Sequence, residues 1–141
     1  MIISFAWTSP ALLAGSKSCT RREWDAGYAA KFHKGDIVQA WDKSPRFHGK
    51  HVADICLRAA PTLEPISTMP SIDYVREGFE WLYHHPQSVD TKRFGAFAWE
   101  DFEAWRRSGG DFWVVRFELV VIHETLEAWL ARRGQKAELV R

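Results

Sequence analysis

The chain has 141 residues, of which 46% are hydrophobic, and 19 Lys and Arg stand against 18 Asp and Glu. A soluble domain of this length hides roughly 68% of the surface that its unfolded chain exposes, so it can build a core without disulfides or a structural metal. This composition excludes a disordered or low-complexity chain, and a net charge of +1 excludes the global positive field of a strongly basic nucleic-acid binder.

The first half of the sequence predicts short elements. A nearly all-apolar strand over residues 2–7 is followed by a helix that begins at Thr8-Ser9-Pro10 and ends before Gly15. Pro10 suits the first turn of a helix, because its missing N–H would have had no partner there. Residues 16–22 are polar and rich in hydrogen-bond donors, which predicts a loop or a short edge strand.

The next segments predict a pair of strands. A loose helical pattern over residues 23–32 leads to the turn Lys34-Gly35-Asp36, which introduces a strand over residues 37–41. A second strand is predicted over residues 51–58. Because a loop alone separates the two strands, we expect them to form a hairpin or meander.

The C-terminal half predicts longer elements. A proline-containing connector over residues 61–70 precedes a helix over residues 72–83, and a second helical pattern covers residues 98–107. The clearest strand is residues 112–121, which are rich in β-branched and aromatic side chains. An amphipathic helix over residues 123–133 closes the pattern, with Gly134 after it.

These elements predict an α+β fold in a single domain over residues 1–141. Few long helices and scattered short strands favour a small mixed β-barrel with helices over its ends. The sequence has no basic leader followed by a long apolar stretch, so we expect a cytoplasmic protein with no membrane partner. Cys19 and Cys56 are then expected to be reduced thiols, and without CxxC spacing they make no zinc site.

The charge is uneven along the chain. Residues 1–60 have a balance of +4 and the remainder a balance of −3, so the basic excess lies in the N-terminal part. That part contains Gly15-Ser16-Lys17-Ser18-Cys19-Thr20-Arg21-Arg22, which fits the pattern G-x-K-x-x-T-x-R. Four fixed positions of this kind match by chance in about one or two sequences per thousand. The pattern is therefore the most specific local signal in the sequence.

The signature resembles that of the ASCH domain family, whose members adopt a PUA-like β-barrel. The resemblance extends over roughly residues 2 to 121, through the turn Lys34-Gly35-Asp36, the helix with Glu77-Gly78-Phe79 and the late strand over residues 112–121. The last helix departs from the short family form. Some small bacterial members are amidohydrolases that remove acyl groups from the exocyclic N4 amine of cytidine.

The resemblance implies which residues carry this activity. Lys17 and Thr20 match the signature, and Glu77 matches a glutamate on the later helix. Amide hydrolysis needs a nucleophile, a proton acceptor and a group that stabilises an oxyanion. Thr20 suits the nucleophile. Lys17 can be the base if it is neutral, or it can stabilise the oxyanion while Glu77 is the base, and the sequence leaves both assignments open.

Several other residues are candidates for the site. Arg22 is expected to bind substrate or to form an ion pair, and Trp7 and Trp24 are candidate walls for a pyrimidine, while Phe79 is assigned to the core. Cys19 is a rival nucleophile, but alternation along an extended segment points it away from the face of Thr20.

The histidines do not predict a metal site. The pairs His48-x-x-His51 and His84-His85 each lack a third ligand at a recognisable spacing, and His123 is expected to begin the last helix. We therefore expect neither a metal nor another cofactor in the reaction.

Two classes of function follow. The first is a hydrolase acting on a small-molecule nucleoside, N4-acetylcytidine or a related N4-acylated cytosine compound. The alternative is a PUA-like module that binds RNA or a modified base, or a ribonuclease of the same family. In that case a set of basic residues would contact phosphates around an aromatic pocket: Lys17, Arg21, Arg22, Lys31 and Lys34. The near-neutral charge favours the small substrate over a long polyanion.

Overall fold

The computed structural model describes residues 1–88 and 97–133, and the backbone of residues 134–140. The strands in this part of the chain are β1 (Ile2–Ser4), β2 (Cys19–Arg22), β3 (Ile37–Trp41), β4 (His51–Leu57), β5 (Thr62–Pro65) and β6 (Asp111–Ile122). Its α-helices are α1 (Ser9–Leu13), α2 (Ala26–Ala29), α3 (Asp73–Arg76), α4 (Phe79–His84), α5 (Trp99–Arg107) and α6 (Leu126–Val140). None of the helices in these residues has the length and apolar character needed to cross a bilayer.

The strands form a curled, half-barrel sheet in the order β1-β3-β4-β6-β2, and β5 also pairs with β6. Strand β1 runs parallel to β3, and the other pairs are antiparallel. The first half of β6 pairs with β2 and β5, and its second half pairs with β4. The α+β class and the antiparallel pairing of β3 with β4 are therefore confirmed.

Several predicted boundaries are wrong. The strand expected over residues 2–7 ends at Ser4, and the chain then forms a 3-10 helix at Ala6–Thr8. The connector expected over residues 61–70 contains β5, because pairing with β6 supplies hydrogen bonds that the local sequence does not reveal. The helix expected over residues 123–133 is α6, which continues through Gly134. One interior glycine costs a helix only about 1 kcal/mol, and good helix formers follow it.

The buried hydrophobic side chains form two clusters. The first lies against the sheet and contains Phe5, Leu12 and Phe117 among its buried side chains. The second lies among the helices and contains Ala11 and Phe79. Burying one such large side chain contributes roughly 1.5–3 kcal/mol. Helix α1 contributes to both clusters through adjacent residues, so it fixes the sheet and the helical layer relative to each other.

Candidate active site

Lys17 and Glu77 meet in the interior, although 60 positions separate them in the chain. Lys17 follows α1, and Glu77 is the C-cap residue that directly follows α3. The Nζ of Lys17 donates to the backbone oxygen of Glu77 at 2.8 Å and to its Oε1 at 3.3 Å. Thr20, on β2, lines the same pocket, and all three residues are less than 5% exposed. The structure thus brings together the three residues singled out by the sequence.

Gly78 allows this close approach. Its φ of +87° lies in the left-handed region, where a side chain is strained. A Cβ at this position would lie 2.7 Å from the Cβ of Ala11 and 3.3 Å from the Cβ of Lys17. The glycine also divides the helix expected over residues 72–83 into α3 and α4. A side chain at position 78 would therefore obstruct the packing of this turn against Ala11 and Lys17.

The Glu77 carboxylate is held from a second side by Arg21. The Nη1 of Arg21 donates to Oε2 of Glu77 at 2.9 Å, and its Nη2 donates to Oδ2 of Asp73 at 2.7 Å. Arg116 also donates to both oxygens of Asp73, at 3.1 and 2.9 Å. A buried network of alternating charges therefore fixes the carboxylate that contacts Lys17.

Two members of this network, Asp73 and Arg116, were missed as site residues, and Arg21 was named only as a phosphate contact of the alternative RNA-binding site. Two signals in the sequence point to part of it. Alternation along β2 puts Cys19 and Arg21 on the face opposite Thr20. Asp73 and Glu77 stand four positions apart at the start and end of one helical turn, which places them on one helix face.

Thr20 is positioned by Arg22, its neighbour on the same face of β2. The Nε of Arg22 donates to Oγ1 of Thr20 at 3.2 Å, and its Nη2 donates to the backbone oxygen of Ser4 at 2.8 Å. The guanidinium carbon lies 5.5 Å from the centre of the Phe5 ring. Because Thr20 accepts this hydrogen bond, its own hydroxyl proton remains available for donation, and a cation lies beside the oxygen.

These side chains line a pocket of about 390 Å³, which falls in the range of small-molecule sites. One wall is aromatic and includes Trp7, Phe79, Phe97 and Trp105. The rings of Trp7 and Phe79 stack with centroids 5.8 Å apart and planes 8° apart. Trp7 therefore lies where the sequence placed it, whereas Phe79 serves both the helical cluster and the pocket wall.

Trp24, in contrast, does not line the pocket. Its ring stacks on Phe32 at 4.7 Å and meets Tyr28 edge-on at 5.1 Å, against the sheet cluster. Strand β2 ends at Arg22, and Asp25 caps the next helix by accepting a hydrogen bond from the backbone N–H of Tyr28. The chain has therefore turned away from the pocket before Trp24, and this residue does not form the wall of the pocket that the sequence suggested.

Burial shifts the pKa of the Lys17 amine and the pKa of the neighbouring Cys19 thiol in opposite directions. Burial lowers the pKa of Lys17; the Glu77 charge opposes this effect, and the nearby Arg22 adds to it. Burial, together with the Glu77 charge, raises the pKa of Cys19 to about 12. Cys19 is therefore a protonated thiol at neutral pH, and its Sγ lies 3.7 Å from Glu77 Oε2, outside the set of residues that line the pocket.

The histidines lie outside this pocket. His85 packs on Trp81 with ring centres 4.0 Å apart, and His48 ends a 3-10 helix in a left-handed conformation. His51 and His123, which the sequence assigned to different segments, lie beside each other, with ring centres 4.5 Å apart. The histidine side chains therefore do not line the pocket.

Comparisons with known proteins do not assign the chain to a family: no family model, curated protein or solved structure matches it.

Proposed function

We propose that this chain is an amidohydrolase of the ASCH type with a PUA-like barrel, which removes acyl groups from the N4 amine of acylated cytosine nucleosides. The observation that carries the proposal is the junction of Lys17, Thr20 and Glu77 in one aromatic-walled pocket. These are the three residues that the family resemblance implies. The long-range contact of Lys17 with Glu77 was not implied by the local motif, so it supports the proposal separately.

The chemistry can be written with the residues of the pocket. Thr20 Oγ1 attacks the acyl carbon while its proton passes to neutral Lys17, and the carbonyl oxygen becomes an oxyanion. Collapse of this intermediate breaks the carbon–N4 bond, and Lys17 returns the proton to the leaving amine. A water molecule then hydrolyses the threonine ester with Lys17 again as the base. The products are the free nucleoside and the carboxylic acid.

Glu77 suits a positioning role in this scheme. One of its oxygens contacts Lys17 and the other contacts Arg21, so its carboxylate is already engaged by two cationic side chains. Lys17 is fixed further by the backbone oxygen of Glu77. Because burial lowers the pKa of Lys17, a larger fraction of the amine is neutral and free to accept a proton. Arg22, beside Thr20 and always charged, is placed to stabilise negative charge near the reacting oxygen.

The pocket suits a flat, uncharged base. Its aromatic side chains offer a stacking surface, and Thr20, Lys17 and Arg22 supply hydrogen-bonding groups in the same pocket. The volume of about 390 Å³ favours a nucleoside or nucleobase over a polymer.

The direct test is release of acetate from N4-acetylcytidine by the purified chain, measured with and without EDTA. We expect release in both conditions, with cytidine as the second product. Failure to release acetate, with a sample shown to be folded, contradicts the proposal.

The pH dependence distinguishes the two candidate bases. If neutral Lys17 is the base, kcat/KM rises with pH up to the pKa of Lys17, which lies below 10.5. The Glu77 charge raises that pKa, so Glu77→Gln is expected to move the rise in kcat/KM to lower pH. The measurement is a pH profile of kcat/KM for wild type and variant.

Glu80→Gln is the matched control, because Glu80 is an exposed glutamate on the neighbouring helix. Its profile is expected to coincide with that of the wild type. Loss of activity at every pH in Glu77→Gln, with a folded variant, would instead make Glu77 the base.

A second candidate function, RNA binding, is favoured by a separate depression of about 320 Å³ that is lined by Ser18, Ala59 and three arginines, Arg58, Arg76 and Arg116. This set differs from the one expected from the sequence. Lys17 and Arg21 are buried and paired with carboxylates, so they cannot follow a phosphate backbone.

RNA binding through the depression predicts a definite salt response. Three arginine–phosphate contacts on a single strand give a slope of log affinity against log salt of about −2. The measurement is fluorescence anisotropy with a labelled single-stranded RNA across salt concentrations, for the wild type and for Arg58→Gln with Arg76→Gln. A flat salt response, or an equal slope for the variant, contradicts this second candidate.

A further inference from the structure

Two histidines and an aspartate converge on the sheet outside the proposed active site. The Nε2 of His51 lies 2.6 Å from Oδ1 of Asp54, and the Nε2 of His123 lies 2.7 Å from Oδ2. One nitrogen of each histidine and one oxygen of Asp54 lie within 4.8 Å of one another. The two rings therefore approach one carboxylate from its two ends.

Irregular strand pairing creates this arrangement. His51 and Asp54 are three positions apart on β4, and strict alternation would put them on opposite faces of the sheet. The pairing of β4 with β3 shifts its register beside Trp41, so that Val52 and Ala53 are both buried and the two polar residues share a face.

The third residue arrives from the end of β6. The backbone N–H of His123 donates to the oxygen of Val52 at 2.8 Å, which fixes the histidine beside β4. A register shift between β4 and β6 occurs at the same level, between Asp54 and Ile55. The contact joins residues 69 positions apart, and for this reason the spacing of histidines in the sequence gave no sign of it.

The charged side chains next to the cluster form ion pairs among themselves. Trp41 packs nearly parallel to the His51 ring, with planes 10° apart and centres 6.0 Å apart. The nearby charged groups Lys50 and Glu124 pair with each other at 2.7 Å, and Glu124 also pairs with Arg132. The side chains of the cluster are 19–40% exposed, so an ion can reach them from solvent.

We propose that His51, Asp54 and His123 form a binding site for a divalent transition-metal ion of the Zn²⁺ class. Imidazole nitrogens and a carboxylate oxygen are ligands that such ions prefer, at about 2.0–2.2 Å. Ligand atoms within 4.8 Å of one another reach these distances with movements of about an ångström. Three protein ligands leave a position for water, and the ion cross-links β4 to the segment that leads into α6. The proposal differs from the sequence-based expectation of no metal.

The test is calorimetric titration of the full chain with Zn²⁺, after treatment with a chelator and its removal. We expect one Zn²⁺ per chain in the wild type. His51→Ala and His123→Ala are each expected to weaken Zn²⁺ binding strongly. Loss of a residue that merely hydrogen-bonds a metal ligand weakens binding roughly 10- to 100-fold, and loss of a ligand itself is expected to exceed that. His33→Ala is the matched control, because His33 is a surface histidine that pairs with one carboxylate, Asp36, at 3.5 Å and lies outside the proposed metal site. It should retain wild-type affinity.

A second readout covers the case in which a variant folds poorly. Zn²⁺ is expected to raise the melting temperature of the wild type and of His33→Ala, because the ion binds the folded chain, and Co²⁺ is expected to give the visible absorption of a nitrogen- and oxygen-ligated ion. Absence of stoichiometric binding to the wild type, or wild-type affinity in both His51→Ala and His123→Ala, overturns the proposal. Neither readout depends on amide hydrolysis.

Discussion

Thr20→Val is expected to lower kcat/KM for N4-acetylcytidine by about 10⁴-fold or more, because loss of a catalytic nucleophile leaves only binding and charge stabilisation. Valine keeps the branched shape of threonine and suits a strand, and Thr20 is buried on β2. The change removes the hydroxyl that accepts from Arg22 while it leaves the packing of the strand nearly intact. The measurement is steady-state kinetics, with circular dichroism to show that the variant is folded.

The matched control for Thr20→Val is Cys19→Ser, one position earlier on the same strand. Cys19 is a protonated thiol at neutral pH, since burial and the Glu77 charge raise its pKa to about 12. We expect this variant to retain activity within about tenfold of the wild type, the size of a modest change in packing and hydrogen bonding. If Thr20→Val retains full turnover, Thr20 is not the nucleophile. If Cys19→Ser abolishes turnover while Thr20→Val does not, the assignment of nucleophile is reversed.

The sequence predicted the local parts of the site better than its long-range parts. Lys17 and Thr20 belong to one eight-residue motif, so their proximity required only a short turn and the start of a strand. Glu77 came from the family resemblance, and its contact with Lys17 depends on the left-handed turn at Gly78. The pattern of apolar residues did not reveal this turn, because it predicted one helix through the same segment.

The elements of the fold show the same division. Strand β3 was predicted at its observed bounds, because a turn and an apolar run mark it locally. Strand β5 was missed, since its regular pairing in the described part of the chain is with β6, far along the sequence. The contact of His51 with His123 also depends on two shifts of strand register, which residue spacing does not reveal.

Asp73 connects the stability of the fold to the geometry of the site. Its carboxylate is fully buried and accepts hydrogen bonds from Arg21 and Arg116. Burial by itself would raise the pKa of Asp73, but the hydrogen bonds from Arg116 and Arg21 outweigh this effect and the pKa lies below its ordinary value. Arg21 in turn holds Glu77, so Asp73 acts on the pocket through two intermediates.

Asp73→Ala is expected to lower the free energy of unfolding by about 3–5 kcal/mol, the usual cost of breaking a buried ion pair by removing one partner. The loss arises mainly because Arg21 stays buried with one of its two carboxylate partners missing. In a chain of this size such a change lowers the melting temperature by roughly 10–20 °C. Urea unfolding at pH 7 measures it directly.

Glu118→Ala is the control for Asp73→Ala, since Glu118 pairs with Arg58 at 3.0 Å on the surface, where both side chains are more than half exposed. This variant is expected to change the free energy of unfolding by less than about 1 kcal/mol. Equal effects of the two substitutions would show that the Asp73 network does not stabilise the fold.

The pH dependence of the Asp73→Ala effect has a definite sign. A carboxyl group whose pKa is lower in the folded than in the unfolded state contributes stability that is fully present above the unfolded value, here 3.8. That contribution is lost as pH falls through the folded value. The difference in unfolding free energy between wild type and Asp73→Ala is therefore expected to be constant near neutral pH and to shrink below 3.8. A difference that grows on acidification would mean that burial raises the pKa of Asp73 more than the two arginines lower it. The charge network would then destabilise the site that it positions.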